Sequence, residues 1–252
     1  MKKLENKVTL ITGGTSGIGL TTALACVREG AKVIIAGRSE QNAKEALQII
    51  KDNGYEAEYI QCDVSIAFQV ENLINQIVST YGRLDCAFNN AGIAGNLQNT
   101  ANTTESDWDI AMNINLKSVW LCMKYEIQQM LKQGKGAIVN TSSAAGIVGL
   151  PGAAAYSTAK FGIVGLTKTA AAEYVKEGIR INAICPAFVN TPLTGGVAAN
   201  FPEFVQHIFP FQIIGRMAET KEISEPVVWL LSDEASFITG VALPLDGGYT
   251  AM

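Results

Sequence analysis

Tyr156 and Lys160 stand four residues apart in the stretch GAAAYSTAKFG (152–162). On a helix, side chains at i and i+4 are neighbours, so a phenol and an ammonium share one face among residues with almost no side chain. The pair suits proton transfer. A free tyrosine, with a pKa of about 10, exchanges protons sluggishly at neutral pH, and an ammonium one turn away stabilises the tyrosinate and lowers that pKa. The small neighbours leave room for bound molecules to lie against the helix. Tyr156 is the only one of seven tyrosines with a lysine four residues on. Such pairs also arise without purpose, so the rest of the chain must supply the context.

A second chemical feature lies near the start. The apolar run VTLIT (8–12) leads into TGGTSGIG (12–19), and a helical pattern follows. Gly13, Gly17 and Gly19 let the backbone turn tightly, approach a pyrophosphate and pack helix on strand, with Thr15, Ser16 and Ile18 between them in the same turn. The helix N-terminus adds amides and positive partial charge. At the end of the second apolar run, where dinucleotide folds usually carry an acid for the ribose 2′-hydroxyl, the chain has Gly37 followed by Arg38 and Ser39. An arginine pairs bidentately with a 2′-phosphate, and a missing carboxylate removes the repulsion. This favours NADP(H), with NAD(H) left open. Asp63 and Val64 close the third run, where the Asp can meet an adenine amino group.

The elements that must hold these groups alternate. Runs at 8–12, 32–37, 57–62, 84–91, 136–143, 180–186 and 240–248 read as strands, and helix-period segments cover 17–29, 40–53, 66–81, 105–133, 155–178 and 220–232. Most of the strand runs are continuously apolar or β-branched, which suits a parallel sheet covered on both faces. The expected fold is a doubly wound, Rossmann-type α/β sheet of seven parallel strands with helices on both faces. No repeat or linker divides the chain, so 1–252 reads as one domain. Pro244 removes a ladder donor and puts the last strand at an edge. The stretch 190–216 has no clear period and reads as a long substrate-binding loop.

Bulk properties narrow the partners. The 252 residues are 48% hydrophobic and 17% charged, ample for a sizeable core. A net charge of -4 with no Lys/Arg run gives no footprint for nucleic acid or an anionic membrane. The most apolar region, about 144–175, is broken by Pro151 and carries Lys160 and Lys168, so no membrane span is expected, and the first residues read as no targeting segment. Five scattered cysteines without CxxC spacing suggest reduced thiols and a cytoplasmic protein. The single histidine, His207, lies in no ligand cluster, and no metal is expected.

With Thr12 to Gly19, Asn89-Asn90-Ala91-Gly92, Asn115, Ser143, Tyr156 and Lys160 in this order, the chain resembles the short-chain dehydrogenase/reductase family. The resemblance covers essentially the whole chain, through Asp246-Gly247-Gly248. It implies an NAD(P)-dependent enzyme interconverting a ketone and a secondary alcohol, with Tyr156 as general acid/base. It further implies that Lys160 also holds the nicotinamide ribose and that Ser143 hydrogen-bonds the carbonyl oxygen, Ser142 pointing the other way. Asn115 would anchor a proton relay, its neighbour Asn113 being the poorer match. Asn90, Ala91 and Gly92 would line the cofactor. Most members have Pro-Gly after the sixth strand, whereas this chain has Pro186-Ala187. Val189 and Thr191 still match the segment that holds the carboxamide, so a small backbone adjustment is expected there.

The leading expectation is a carbonyl reductase or alcohol dehydrogenase for a small, fairly apolar substrate covered by Phe201, Phe204, Phe209 and Phe211, although these rings could equally pack the loop down or bury a subunit interface. A 3-oxoacyl-acyl-carrier-protein reductase is the alternative. It would need a basic docking face, and Glu173 and Glu177 flank Lys176 after the Tyr156 helix. A non-catalytic, cofactor-sensing protein is a third reading, against which the Ser/Tyr/Lys set is intact. The apolar Tyr156 helix and the edge strand suggest a homotetramer, as the family commonly forms. In it Tyr249 and Met252 would reach a neighbour's pocket. A terminal Met is a poor ligand for a hard cation.

Overall fold

The computed structural model describes residues 2–251; Met252 lies outside the described residues, and so does its expected reach into a neighbour. The strands are β1 (Val8–Thr12), β2 (Lys32–Gly37), β3 (Glu58–Gln61), β4 (Cys86–Asn89), β5 (Gly136–Thr141), β6 (Ile179–Pro186) and β7 (Ala242–Leu245). All pair in parallel, in the order β3-β2-β1-β4-β5-β6-β7. The order reverses between β1 and β4, which opens a crevice beyond the carboxyl ends of the strands. β7 is an edge, where Pro244 lies in register with Cys185 and needs no outward donor.

The helices are α1 (Gly17–Arg28), α2 (Glu40–Asp52), α3 (Ala67–Tyr81), α4 (Glu105–Met112), α5 (Ser118–Gln133), α6 (Ala154–Tyr174), α7 (Pro192–Asn200), α8 (Pro202–Ile208) and α9 (Thr220–Leu231). The sheet buries a separate core on each face. Leu10, Ile34, Ala87, Ile138 and Ile181 pack against α3, α5 and α6. Alternate residues of the same strands, Ile11, Ile35, Phe88, Val139 and Ile184, pack against α1, α2 and α9. Side chains of period two thus feed both layers, the physical reason the strand runs are continuously apolar. The five cysteines are buried single thiols.

Two expected boundaries are corrected. The segment 105–133 is not one helix: a π-turn, Asn113–Lys117, separates α4 from α5. The segment 190–216 is not a structureless loop, since it folds into α7, α8 and a short 3-10 turn, Phe209–Phe211. The cause is local. Thr191 caps α7 by accepting from the Thr194 amide at 3.2 Å, and Pro192 and Pro202 occupy the first turns of α7 and α8, where a missing N–H costs nothing.

Candidate active site

The anticipated site residues gather beyond the carboxyl ends of β1 to β6. The glycine turn between β1 and α1 is stitched in place by its neighbours. The Gly13 amide donates to the Ala36 carbonyl at 2.8 Å, and the Thr12 hydroxyl accepts from the Asn90 and Ala91 amides at 3.1 and 3.3 Å. Asn90 Nδ2 returns a bond to the Gly13 carbonyl at 3.3 Å. A Cβ on Gly19 would lie 2.1 Å from the Gly13 oxygen, so only glycine lets helix and turn approach this closely. Ser16 caps α1 in an extended conformation and spends no side-chain bond on the helix.

Around this turn runs a cleft of about 300 Å³. It is lined by Gly13, Thr15, Ser16, Gly17, Ile18, Arg38, Ser39, Asp63, Val64, Asn90, Ala91, Gly92 and Thr191, all anticipated from the sequence. The Ser39 hydroxyl also caps α2, accepting from the Asn42 amide at 3.2 Å. Burial pushes the Asp63 carboxyl up, but the Ser65 hydrogen bonds and the Arg38 charge outweigh it and hold the group below its ordinary value. Asn42 and Ile114 line the cleft without having been anticipated. Asn42 could have been found one turn after Arg38, whereas Ile114 arrives only through the π-turn. Gly19 sits behind the wall. The cradle, the ionised Asp63 and the free Ser16 hydroxyl fit a dinucleotide.

The cleft continues into a second cavity of about 180 Å³, lined by Ser143, Tyr156, Lys160, Pro186 and Val189, with Ile18, Asn90, Gly92 and Thr191 shared between the two. Lys160, only 5% exposed, places its ammonium 5.5 Å from the centroid of the Tyr156 ring. The same Nζ donates to the Thr141 carbonyl at 2.9 Å. Burial lowers its pKa to about 8. Burial pushes the half-buried Tyr156 phenol up, and the group that pulls it back is the Ser143 hydroxyl. The net direction is upward, against the lowering expected from Lys160. Ser143 lies two residues past β5, where it caps a 3-10 turn, and its hydroxyl donates to the Pro186 carbonyl at 3.3 Å. Ser142 points away, bonding the Lys160 carbonyl at 2.8 Å.

Asn115 lines neither cavity. It is fully buried in the π-turn, its Oδ1 accepting from the Ile93 amide at 2.9 Å and its Nδ2 donor without a partner among the described residues. A Cβ on Gly92 would meet Asn115 Oδ1 at 2.9 Å and Lys160 Nζ at 3.8 Å, so the two polar groups flank that glycine. Asn113 instead faces an outer groove beside Trp120. π-turns often occur at functional sites, and this one brings Asn115 to the loop after β4.

Ala187, where the family has glycine, adopts no left-handed conformation, because Asn6 is the only described non-glycine with positive φ. The adjustment expected there needs no strain. Of the four lid phenylalanines anticipated as substrate contacts, only Phe204 lines the cavity, joined by Phe188, Leu97, Leu150 and Val197. Phe209 packs edge-on against Phe188 and Phe211 against Tyr249. Tyr249 lines the cavity of its own chain.

A phosphate-type turn leading by one continuous cleft to a proton donor is what an oxidoreductase working with a dinucleotide requires. The sequence model described as enoyl-(acyl carrier protein) reductase matches residues 13–250. The 2,5-dichloro-2,5-cyclohexadiene-1,4-diol dehydrogenase of Sphingobium indicum is 42% identical over 100% of both chains. The cyclohexanol dehydrogenase of Acinetobacter sp. strain SE19 is 39% identical over 99% of this chain and 97% of its own. Among solved structures, an actinorhodin polyketide ketoreductase variant with NADPH superposes with a TM-score of 0.93 at 34% identity, covering 100% of each chain. The chain belongs to the short-chain dehydrogenase/reductase family. It is an oxidoreductase of the alcohol and carbonyl class, in a family that works with nicotinamide dinucleotides.

Proposed function

We propose that this chain, working as one domain, interconverts a small ring ketone and its secondary alcohol with Tyr156 as general acid/base. The observation that carries the reading is the meeting of Tyr156, Lys160 and Ser143 on one wall of a largely apolar cavity. A nicotinamide dinucleotide held by the Gly13–Gly19 turn, Asn90 and Thr191 would supply or accept the hydride at the carbinol carbon. For the other half of the balance, Tyr156 gives its proton to the substrate oxygen in reduction and takes it back in oxidation. Ser143 donates a hydrogen bond to the same oxygen where negative charge develops. Lys160, held by Thr141, keeps positive charge beside the phenol, and Asn115 is a positioning residue that fixes the Gly92 backbone next to Lys160 Nζ.

Size supports a small substrate. An apolar cavity of about 150 Å³ accommodates a benzene ring, and this one measures about 180 Å³. Drug-sized ligands need roughly 300–1,000 Å³. The names of the two relatives above, both dehydrogenases of six-membered ring alcohols, agree with that size. Glu173 and Glu177 beside Lys176 disfavour an acyl-carrier substrate, which would need a basic docking face.

Arg38, exposed at the mouth of the cleft with Gly37 before it, supports NADP(H) over NAD(H). A homotetramer is supported by Trp120 and Phe161, each 45% exposed on α5 and α6. No helix among the described residues is long and apolar enough to cross a membrane, and the buried thiols suit a cytoplasmic protein. A panel of ring ketones and secondary alcohols, followed by absorbance of the reduced nicotinamide with both cofactors, tests the reading. Turnover of cyclohexanone or cyclohexanol is expected, and turnover restricted to enoyl or acyl-carrier substrates contradicts it.

A further inference from the structure

The polar side chains lining the catalytic cavity are almost all committed. Ser142 donates to the Lys160 carbonyl and Lys160 to the Thr141 carbonyl. Thr141 and Asn90 bond one another at 3.5 Å, and Thr191 and Thr194 do so at 3.2 Å. Outside the reacting pair of Ser143 and Tyr156, one polar group is left. Burial alone pushes the Tyr249 phenol up, with no hydrogen bond contributing, and its hydroxyl has no partner among the described residues.

This second phenol is held firmly. The buried Asp246 carboxylate accepts from the Gly248 amide at 3.0 Å, the Thr250 amide at 2.9 Å and the Thr250 hydroxyl at 2.6 Å, which winds 246–250 into a closed turn. Gly248 has φ 85°, and a Cβ there would meet Ile213 Cγ1 at 2.4 Å, so the turn packs tightly on the segment after α8. The Ile214 amide donates to the Gly247 carbonyl at 3.0 Å. The Phe211 ring meets the Tyr249 ring edge-on, with centroids 6.2 Å apart. Gln212 in turn accepts from the Phe188 amide at 2.9 Å, tying this assembly to the loop that follows β6.

A firmly held, half-buried tyrosine whose hydroxyl has no partner among the described residues, in a cavity whose other polar side chains are engaged, is a hydrogen-bonding site for a ligand. A pocket that offers such a group discriminates against a substrate that leaves it unpaired. We infer that Tyr249 binds a second oxygen on the substrate, so that the enzyme prefers a ring carrying two oxygen functions, as in a diol, a hydroxyketone or a dione, over the corresponding simple ring ketone or alcohol. The inference rests on the carbonyl–alcohol chemistry proposed above and adds the residue that selects within it.

The test compares cyclohexanone with 2-, 3- and 4-hydroxycyclohexanone, using wild type and Tyr249→Phe, which keeps the ring that packs on Phe211. For at least one hydroxycyclohexanone the wild-type kcat/KM is expected to exceed that for cyclohexanone by about tenfold. Tyr249→Phe is expected to bring that ratio close to one. A purely packing role would lower kcat/KM for all four compounds alike, leave the ratio unchanged and overturn the inference. So would a wild type that turns over cyclohexanone with no preference for any hydroxy derivative, while the proposed function stands. Absence of turnover of all four compounds with either cofactor overturns both together.

Discussion

Lys160 holds its ammonium 5.5 Å from the centroid of the Tyr156 ring while donating its hydrogen bond elsewhere, to the Thr141 carbonyl at 2.9 Å. The lysine is thus anchored by β5 and acts on the phenol as a nearby charge. Burial holds the phenol's pKa above its ordinary value, and the Ser143 hydroxyl is the group that opposes the rise. Proton transfer at Tyr156 therefore depends on the end of β5 twice, once through a backbone carbonyl and once through a hydroxyl.

Ser143→Ala removes the group that pulls Tyr156 down against burial, so the phenol's pKa rises further. Alcohol oxidation needs the ionised phenol, and its rising limb in a kcat/KM–pH profile is expected to move to higher pH. Loss of the donor to the developing oxyanion is expected to cost about 10²–10³-fold in kcat. A limb that stays in place or moves to lower pH contradicts the assignment.

Gly37→Asp is expected to exchange the cofactor preference. Its Cβ would lie 3.3 Å from Thr15 Cγ2, a contact that side chain can yield, and Gly37 has no left-handed φ, so the cleft should keep its shape. The new carboxylate repels a 2′-phosphate and accepts from ribose hydroxyls. The NADPH/NADH ratio of kcat/KM should fall by at least about tenfold. A wild type already faster with NADH contradicts the role given to Arg38.

Glu126 supplies a stability test away from the chemistry. It is fully buried on α5, and burial raises its pKa to about 8 despite the 2.9 Å bond from Asn89 Nδ2. Its Oε1 and Asn89 Oδ1 are both acceptors without donors, an arrangement that a protonated carboxyl relieves. Between its unfolded value of 4.5 and about 8, the folded chain keeps a proton that the unfolded chain has shed, so stability falls as pH rises. The loss is of order 5 kcal/mol at most. Glu126→Gln should flatten this slope in denaturant titrations from about pH 5 to 8 and be the more stable form at the upper end. An unchanged slope contradicts the buried neutral acid.

Much of this was legible beforehand because it rests on short-range rules. Gly19 announces its own contact, since no other residue passes the Gly13 carbonyl, and Pro244 announces an edge. The seven strands and their double-sided cover follow from runs such as KVIIAG, apolar on both faces, whereas such runs leave the register open. The π-turn at Asn113–Lys117 was invisible because one extra residue in a helical turn leaves the apolar pattern on either side intact. α7 was invisible because PLTGGVAAN has no polar face to set a period, although Thr191 and Pro192 mark its start. The place of Tyr249 in its own chain's cavity was not legible, because it depends on Asp246 closing a turn onto 211–214, a contact between segments more than thirty residues apart.

Assembly is checked by light scattering behind a sizing column. Four copies of the 26.8 kDa chain are expected, held through the faces that carry Trp120 and Phe161. A fully active monomer contradicts the tetramer and leaves the cavity, which Tyr249 completes from its own chain, unaffected.

The most direct test of the whole account is Tyr156→Phe, measured for turnover in both directions and for binding of the reduced cofactor by its fluorescence. The substitution removes the transferable proton and little ground-state contact. Turnover is expected to fall by about 10²–10⁴-fold with cofactor affinity nearly unchanged. A variant that keeps more than about a hundredth of the wild-type rate contradicts Tyr156 as the general acid/base.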